Sequence, residues 1–233
     1  MKFKYQDFGL HEGNLYEIIA TTYSITEEGK EIKPNASCMG IRLMEGNQIQ
    51  ISPFSGTVTY KNIKKNSTIA INFVDDVYLY ALAALKERDS PIGLTEFPSA
   101  YYAFKYLETR AMDIPYIKKA WGILICEVSQ EFEKIKHNSF GEVLIPIFKL
   151  NTIFHEKFQE SFKLFNRAEN LALETIILAT RLKLAKKKND SLLFQKIHEK
   201  IMDHIDDIER FGKNENALKT IDLVSKYISS LMV

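Results

Sequence analysis

Cysteine is scarce: Cys38 and Cys126 are the two in 233 residues, and they lie far apart. That excludes a disulfide framework and leaves no C-x-x-C pair for a zinc site or a dithiol centre. Each falls in an apolar, strand-like run, the setting of a buried thiol in a reducing compartment. Long hydrophobic runs are missing too. None approaches the roughly 18–20 residues of a membrane span, and the opening Met1–Phe8 stretch carries charge where a signal peptide would have an apolar segment. A cytoplasmic protein with no membrane association is the expectation. Neither sign of charge is in excess: 31 Lys and Arg against 30 Asp and Glu leave a net +1. A chain so balanced lacks the basic footprint of a nucleic-acid binder. His11, His137, His155, His198 and His204 are scattered, with no H-x-x-H or H-E-x-x-H spacing. The sequence therefore offers no metal site and no nucleophilic triad.

What is present suits an ordinary globular chain. Hydrophobic residues make up 45% and charged residues 26%, enough apolar surface for a core without staples. The length favours two unequal domains. Texture changes near Phe154, from short β-branched runs between turn signals to continuous helical periodicity, so the expected division is residues 1–153 and 154–233.

In the first part, Leu15–Ile25 reads as a strand followed by a hairpin turn at Thr26–Lys30. Ala36–Leu43, Gln48–Ile51, Thr68–Val74, Gly122–Val128 and Glu142–Phe148 read as further strands, the last turned by Asn138–Gly141. Pro146 places that last run at an edge or a bulge. A short helix opens near Thr57, a second spans Val77–Lys86 with Asp75 or Asp76 as its cap, and a third spans Pro98–Thr109. About six strands with inserted helices favour a closed antiparallel barrel over a βαβ sheet.

The second part reads as three helices. Phe158, Phe162, Phe165, Ala172, Ile176 and Ala179 share one face; Leu193, Ile197, Ile201, Ile205, Ile208 and Phe211 share the next, which ends at Gly212. Asn214 caps the last, whose face is Leu218, Ile221, Val224, Ile228 and Leu231. The fold class is α+β: a six-stranded antiparallel barrel followed by a small helical domain.

Two short stretches carry candidate chemistry. Asn35–Met39 reads as a polar turn entering a strand, where small Ala36 and Ser37 let a flat ring approach main-chain N–H and C=O groups. Ser55, Thr57 and Thr59 cluster hydroxyls at a helix start, where free N–H groups and the dipole favour a phosphate. The plainer alternative is that Ser55 or Thr57 merely caps a short surface helix. Asp75 and Asp76 are better read as caps than as catalytic acids.

The order of these segments resembles a known family. Ala20-Thr21-Thr22, then Pro34-Asn35-Ala36-Ser37-Cys38-Met39-Gly40, then Thr59-Tyr60-Lys61-Asn62-Ile63 and the strand Ile69–Val74, is similar to FMN-binding split β-barrels related to flavin reductases. Phe165-Asn166-Arg167-Ala168-Glu169 and Ala179-Thr180-Arg181-Leu182 extend the resemblance to a mostly archaeal group, domain-of-unknown-function family 447, in which a Greek-key barrel precedes a helical domain. The resemblance implies a homodimer holding FMN near the subunit interface. By position it implies that Ala36, Ser37, Cys38 and Met39 line the flavin ring, and that Ser55, Thr57, Thr59 and Asn62 hold its ribityl and phosphate groups. Cys38 departs from the proline of many relatives, and Ser52-Pro53-Phe54 lacks an expected arginine, which leaves Lys61, Arg42 or the other subunit to meet the phosphate charge. Tyr116 and Trp121 are candidates for a wall over the ring, though core packing explains Trp121 as well. The function so implied is an FMN-dependent oxidoreductase passing hydride or electrons between a small-molecule donor and acceptor. The competing reading is a non-catalytic flavin-binding or protein-assembly module.

Overall fold

The computed structural model describes residues 3–26, 31–88, 90, 92–138, 141–160, 167–211 and 214–232. Several expectations lie outside these residues: most of the Thr26–Lys30 turn, Ser139 and Phe140 of the later turn, Phe162, Phe165 and Asn166, and the terminating Gly212. Strand β1 (Leu15–Ile25) holds the key position in the sheet. It pairs antiparallel with β2 (Ile32–Met44) along its whole length, Leu15 opposite Arg42 and Ile25 opposite Ile32, and on its other edge with β4 (Thr68–Phe73) through Ile19–Thr21. β2 pairs with β3 (Gln48–Ile51), β3 with β8 (Gly141–Lys157), β8 with β7 (Gly122–Asn138), and β7 with β4. The result is a closed barrel in the order β1-β2-β3-β8-β7-β4. β3 and β4 follow each other in the chain yet flank opposite sides of the β1–β2 pair. The Greek-key crossover between them carries helix α1 (Val58–Asn66).

Apolar side chains, mostly aliphatic, fill the interior. Ile18, Ile41, Ile49, Ile69, Leu124 and Phe148 are all buried there, joined by Tyr5 and Phe8 from an N-terminal 3-10 turn and by Ile63 from α1. Every residue of β4 is buried, the polar Thr68 and Asn72 included, because both faces of the strand are covered.

Two expectations give way here. Pro98–Thr109 is not a helix: after a 3-10 turn it forms strand β5 (Tyr102–Leu107), paired with β6 (Met112–Ile117) in a separate hairpin. Its alternating Tyr102, Phe104 and Tyr106 suit a pleated strand better than a helix, and periodicity over so short a run did not separate the two. β7 and β8 also run well past their expected ends, with register shifts near Cys126 and Val128. Glu131, Glu133 and Lys134 disguised this extension, because a strand pair beyond a barrel need not be apolar. Pro146 sits where β8 pairs with β7 while its ladder with β3 reaches only to Phe148, an edge position as expected.

Buried polar groups tie the β5–β6 hairpin to the barrel wall. Thr21 Oγ1 donates to the Pro115 carbonyl at 2.6 Å, and Asn72 Oδ1 accepts from the Ile117 N–H at 2.7 Å. Asn72 Nδ2 in turn donates to the Ile19 carbonyl at 2.8 Å and to Thr21 Oγ1 at 3.1 Å. Thr21 and Asn72 are fully buried, so each of these bonds answers a desolvated group.

The chain divides into two compact units, Met1–Val74 with Ser99–Ser161, and Asp75–Pro98 with Phe162–Val233. This differs from a cut at 153/154 because the second unit includes an insertion from the barrel's own sequence. That insertion is helix α2 (Val77–Leu85), N-capped by Asp76 and buried at Val77, Leu79–Ala83 and Leu85. α3 (Arg167–Lys187), α4 (Ser191–Phe211) and α5 (Glu215–Met232) complete the unit. Ala172, Ile176 and Ala179 of α3 and Ile197, Ile201, Ile205 and Ile208 of α4 are buried as expected. Asn214 caps α5, its Oδ1 accepting from the Ala217 N–H at 2.9 Å. Phe158, however, lies beyond β8 rather than in a helix and stacks on Tyr116. In α5 the buried stripe runs through Ala217 and Thr220, which leaves Leu218 37% exposed. Among the described residues, no helix is long and apolar enough to cross a membrane.

Candidate functional site

The Asn35–Met39 segment is not a turn. It lies inside β2, with Asn35 opposite Thr22, Ser37 opposite Ala20 and Met39 opposite Ile18. Pro34 and Asn35 suggested a break, yet a proline is tolerated where its missing N–H costs no ladder bond. Strand alternation then divides the four ring-lining candidates: Ser37 and Met39 share one face with Asn35, and Ala36 and Cys38 share the other. Met39 packs against the barrel interior, Ala36 is fully buried, and Cys38 is half-buried.

Helix α1 starts where its sequence says it should. Thr57 is the N-cap: its hydroxyl accepts from the Tyr60 N–H at 3.2 Å and donates to the Phe54 carbonyl at 2.7 Å. Ser55, Gly56, Thr57 and Val58 are exposed at this mouth. Thr59 and Asn62 are not; they turn inward and are 3% and 6% exposed.

Strand and helix meet through these inward residues. Ser37 Oγ and Thr59 Oγ1 are hydrogen-bonded at 2.7 Å, and Asn35 Nδ2 donates to Thr59 Oγ1 at 3.1 Å. Asn62 Nδ2 donates to Thr22 Oγ1 at 3.1 Å, and Asn35 Nδ2 reaches the same hydroxyl at 3.4 Å. One turn further, Asn66 Nδ2 donates to the Tyr23 carbonyl at 2.5 Å. Thr22 had no part in the site as read from the sequence, and Asn35 stood there only as the start of the turn, with no role for its side chain. The signal was available: Asn35 and Ser37 fall two apart on one strand, and Thr59, Asn62 and Asn66 fall at helical spacing, so polar groups line both facing surfaces.

The sequence pattern of a protein of unknown function (DUF447), N-terminal domain, matches residues 16–156, more than half of the chain. The chain belongs to the DUF447 family. Its fold is similar to that of an FMN-bound DUF447 protein from Methanosarcina mazei, with a TM-score of 0.73 and 21% identity over 96% of this chain and 100% of that one. Looser likenesses are to a flavoredoxin from Methanosarcina acetivorans (TM-score 0.43, 16% identity, 65% of this chain and 72% of that one) and to the styrene monooxygenase flavin reductase of Pseudomonas putida S12 (TM-score 0.41, 14%, 61% and 81%). No curated protein matches the chain.

The charges in this DUF447 chain distribute unevenly around the junction. Arg42, one candidate for the phosphate, lies five residues along β2 from Ser37, roughly 16 Å away, and donates to the Gly13 carbonyl at 2.6 Å. Lys64 pairs with Glu131 at 2.6 Å, an exposed pair worth little. Lys61 is exposed on α1 itself and so stays closer to the mouth. Trp121 stacks on Phe73 at 5.0 Å and on Phe8 at 6.0 Å, whereas Tyr116 stacks on Phe158, so the two do not form one wall. Trp121 is a packing residue in this arrangement. Two clefts, about 680 Å³ beside Tyr5, Gln6, Asn47 and Thr152 and about 630 Å³ beside Lys186, Phe194 and Leu231, lie away from the junction. Beside the first, Cys126 is fully buried and within 3.6 Å of Thr152 Oγ1; burial pushes its thiol up to about 12, which makes it unreactive. Among the described residues there is no metal-binding cluster.

Proposed function

We propose that this chain binds FMN where β2 meets the mouth of α1, as a homodimer in the cytoplasm, and uses it to pass hydride or electrons between a reduced donor and a small acceptor. The observation that carries the reading is the 2.7 Å contact between Ser37 and Thr59, which brings the strand face and the helix start to one place. The FMN-bound family member from M. mazei supports flavin over other phosphorylated rings. The residues fit that group chemically. A helix cannot satisfy its first N–H groups internally, and here they open beside the exposed hydroxyl of Ser55, with Thr57 capping the helix next to it, a set of donors suited to a phosphate. Gly56 has open space where a side chain would stand, so the mouth is unobstructed. In this reading Ala36, Ser37, Cys38 and Met39 flank the ring, and Ser55, Thr57, Thr59 and Asn62 surround the ribityl phosphate.

Bound flavin would supply the redox chemistry, and the protein's part is to bind, orient and shield it. A second reading, a flavin-binding or assembly module without turnover, is favoured by one feature: the side chains at the junction are hydroxyls and amides, which bind but do not titrate. Purified protein tests both. Denaturing release of a chromophore with the mass of FMN supports flavin binding, and bleaching of the yellow protein by NAD(P)H supports the oxidoreductase. A yellow protein that NAD(P)H leaves unbleached supports the module. Protein that carries no flavin and takes up none refutes both.

A further inference from the structure

Helix α1 docks through an unusual stripe. Its inward positions, Thr59, Asn62, Ile63 and Asn66, follow the i, i+3, i+4, i+7 spacing of a buried helix face, but three of the four are polar. Each polar member bonds to the β1–β2 hairpin: Thr59 to Asn35 and Ser37, Asn62 to Thr22, and Asn66 to the Tyr23 carbonyl. Apolar faces slide at little cost, whereas directed hydrogen bonds between buried groups admit one register. The helix is therefore held at a set height and rotation against the strands.

We infer that Thr59 and Asn62 are positioning residues rather than phosphate ligands, and that the exposed mouth from Ser55 to Val58 meets the phosphate. This rests on the FMN reading above and refines it. A dianion would have to leave water to reach hydroxyl and amide groups that are 3% and 6% exposed. Both of those groups already have protein partners. At the mouth, by contrast, Ser55 and the first main-chain N–H groups of the helix stand in water, beside the Thr57 hydroxyl that is itself held between the Phe54 carbonyl and the Tyr60 N–H. Thr59 and Asn62 set the gap between that mouth and strand β2, the two walls that flavin spans in the FMN reading.

The test compares FMN with riboflavin, the same ring and chain without the phosphate, by titrating each into flavin-stripped full-length protein. Thr59→Val and Asn62→Ala should weaken both by a similar factor, about five- to tenfold, because the gap between the walls changes for either molecule. The ratio of the two dissociation constants then stays at its wild-type value, and Thr59→Ser restores both. Ser55→Ala should raise the ratio of the FMN to the riboflavin dissociation constant by about tenfold, weakening FMN and sparing riboflavin. Should Thr59→Val fail to fold, Asn62→Ala carries the same expectation. Two results overturn the inference: a Thr59→Val protein that loses FMN affinity while keeping riboflavin affinity, which makes Thr59 a phosphate ligand, or one with a lowered melting temperature and both affinities unchanged, which makes its role structural alone. Wild-type protein that binds neither flavin removes the FMN reading itself, a failure distinct from either of these.

Discussion

Helices α1 and α2 are both nine residues long, both follow a strand-like run, and both begin at a side-chain cap, Thr57 for one and Asp76 for the other. Their fates differ. α1, VTYKNIKKN, stays with the barrel and buries Thr59, Asn62 and Ile63. α2, VYLYALAAL, belongs to the helical unit, lies against α3 and α5, and is buried around most of its circumference. A cap decides where a helix begins; the composition of its faces decides what it can dock on. One polar stripe finds matching amides and hydroxyls on a strand pair, while a helix apolar all round has to be enclosed by other helices.

The comparison breaks first, and with the largest effect, if α2 is deprived of its enclosure. Deleting residues 162–233 should leave α2 uncovered and produce aggregated protein without a cooperative unfolding transition, as read by size exclusion and calorimetry. A monodisperse, cooperatively folding truncation would mean that α2 does not depend on α3 and α5. Within the intact chain, Leu79→Ala removes a fully buried side chain of α2 and should cost about 2–5 kcal/mol in denaturant unfolding.

Alkaline pH sharpens the contrast between the units. Burial pushes the Cys126 thiol in the barrel from its ordinary 9.0 up to about 12, and the Tyr227 hydroxyl in α5 from 10.0 up to about 12. In each case the folded chain keeps a proton that the unfolded chain gives up. The stabilisation is complete below pH 9 for Cys126 and below pH 10 for Tyr227, and it is lost as pH climbs toward 12. Melting temperature should accordingly fall from about pH 9 upward, and Cys126→Ala should flatten the start of that fall. An unchanged slope in the variant would remove Cys126 as the cause.

Smaller effects come from the α1 side. Thr59→Val, isosteric but without the hydroxyl, leaves Asn35 and Ser37 short of a partner and should cost about 1–2 kcal/mol, less than Leu79→Ala; equal losses would erase the distinction drawn between the two faces. The smallest and most nearly equal changes belong to the caps. Thr57→Ala and Asp76→Ala should each cost about 1 kcal/mol, since both side chains accept one first-turn N–H.

Much of this was legible beforehand. The caps at Thr57, Asp76 and Asn214, the β4 run and the closed barrel follow from local chemistry and from strand spacing. The meeting of the Ser37 segment with the α1 start is present in the motif order, although the strand character of Asn35–Met39 is not, because Pro34 and Asn35 are equally at home in turns. Tyr102–Leu107 failed for a related reason: six residues of alternating aromatics satisfy a short helix and a strand alike until β6 supplies a partner. Leu218 was placed on the buried face of α5 because it is large and apolar, while packing chose Ala217 and Thr220 beside it.

By itself, then, the order of residues determined where helices start and which runs can be strands, since each depends on interactions a few residues long. The tertiary structure decided which unit α2 joins, which face of β2 each of Ala36–Met39 occupies, and that Thr59 and Asn62 turn inward while Ser55 and Thr57 stay in water. Those outcomes depend on partners distant in sequence, and a hydroxyl's role is set by what stands within 3 Å of it rather than by its neighbours along the chain.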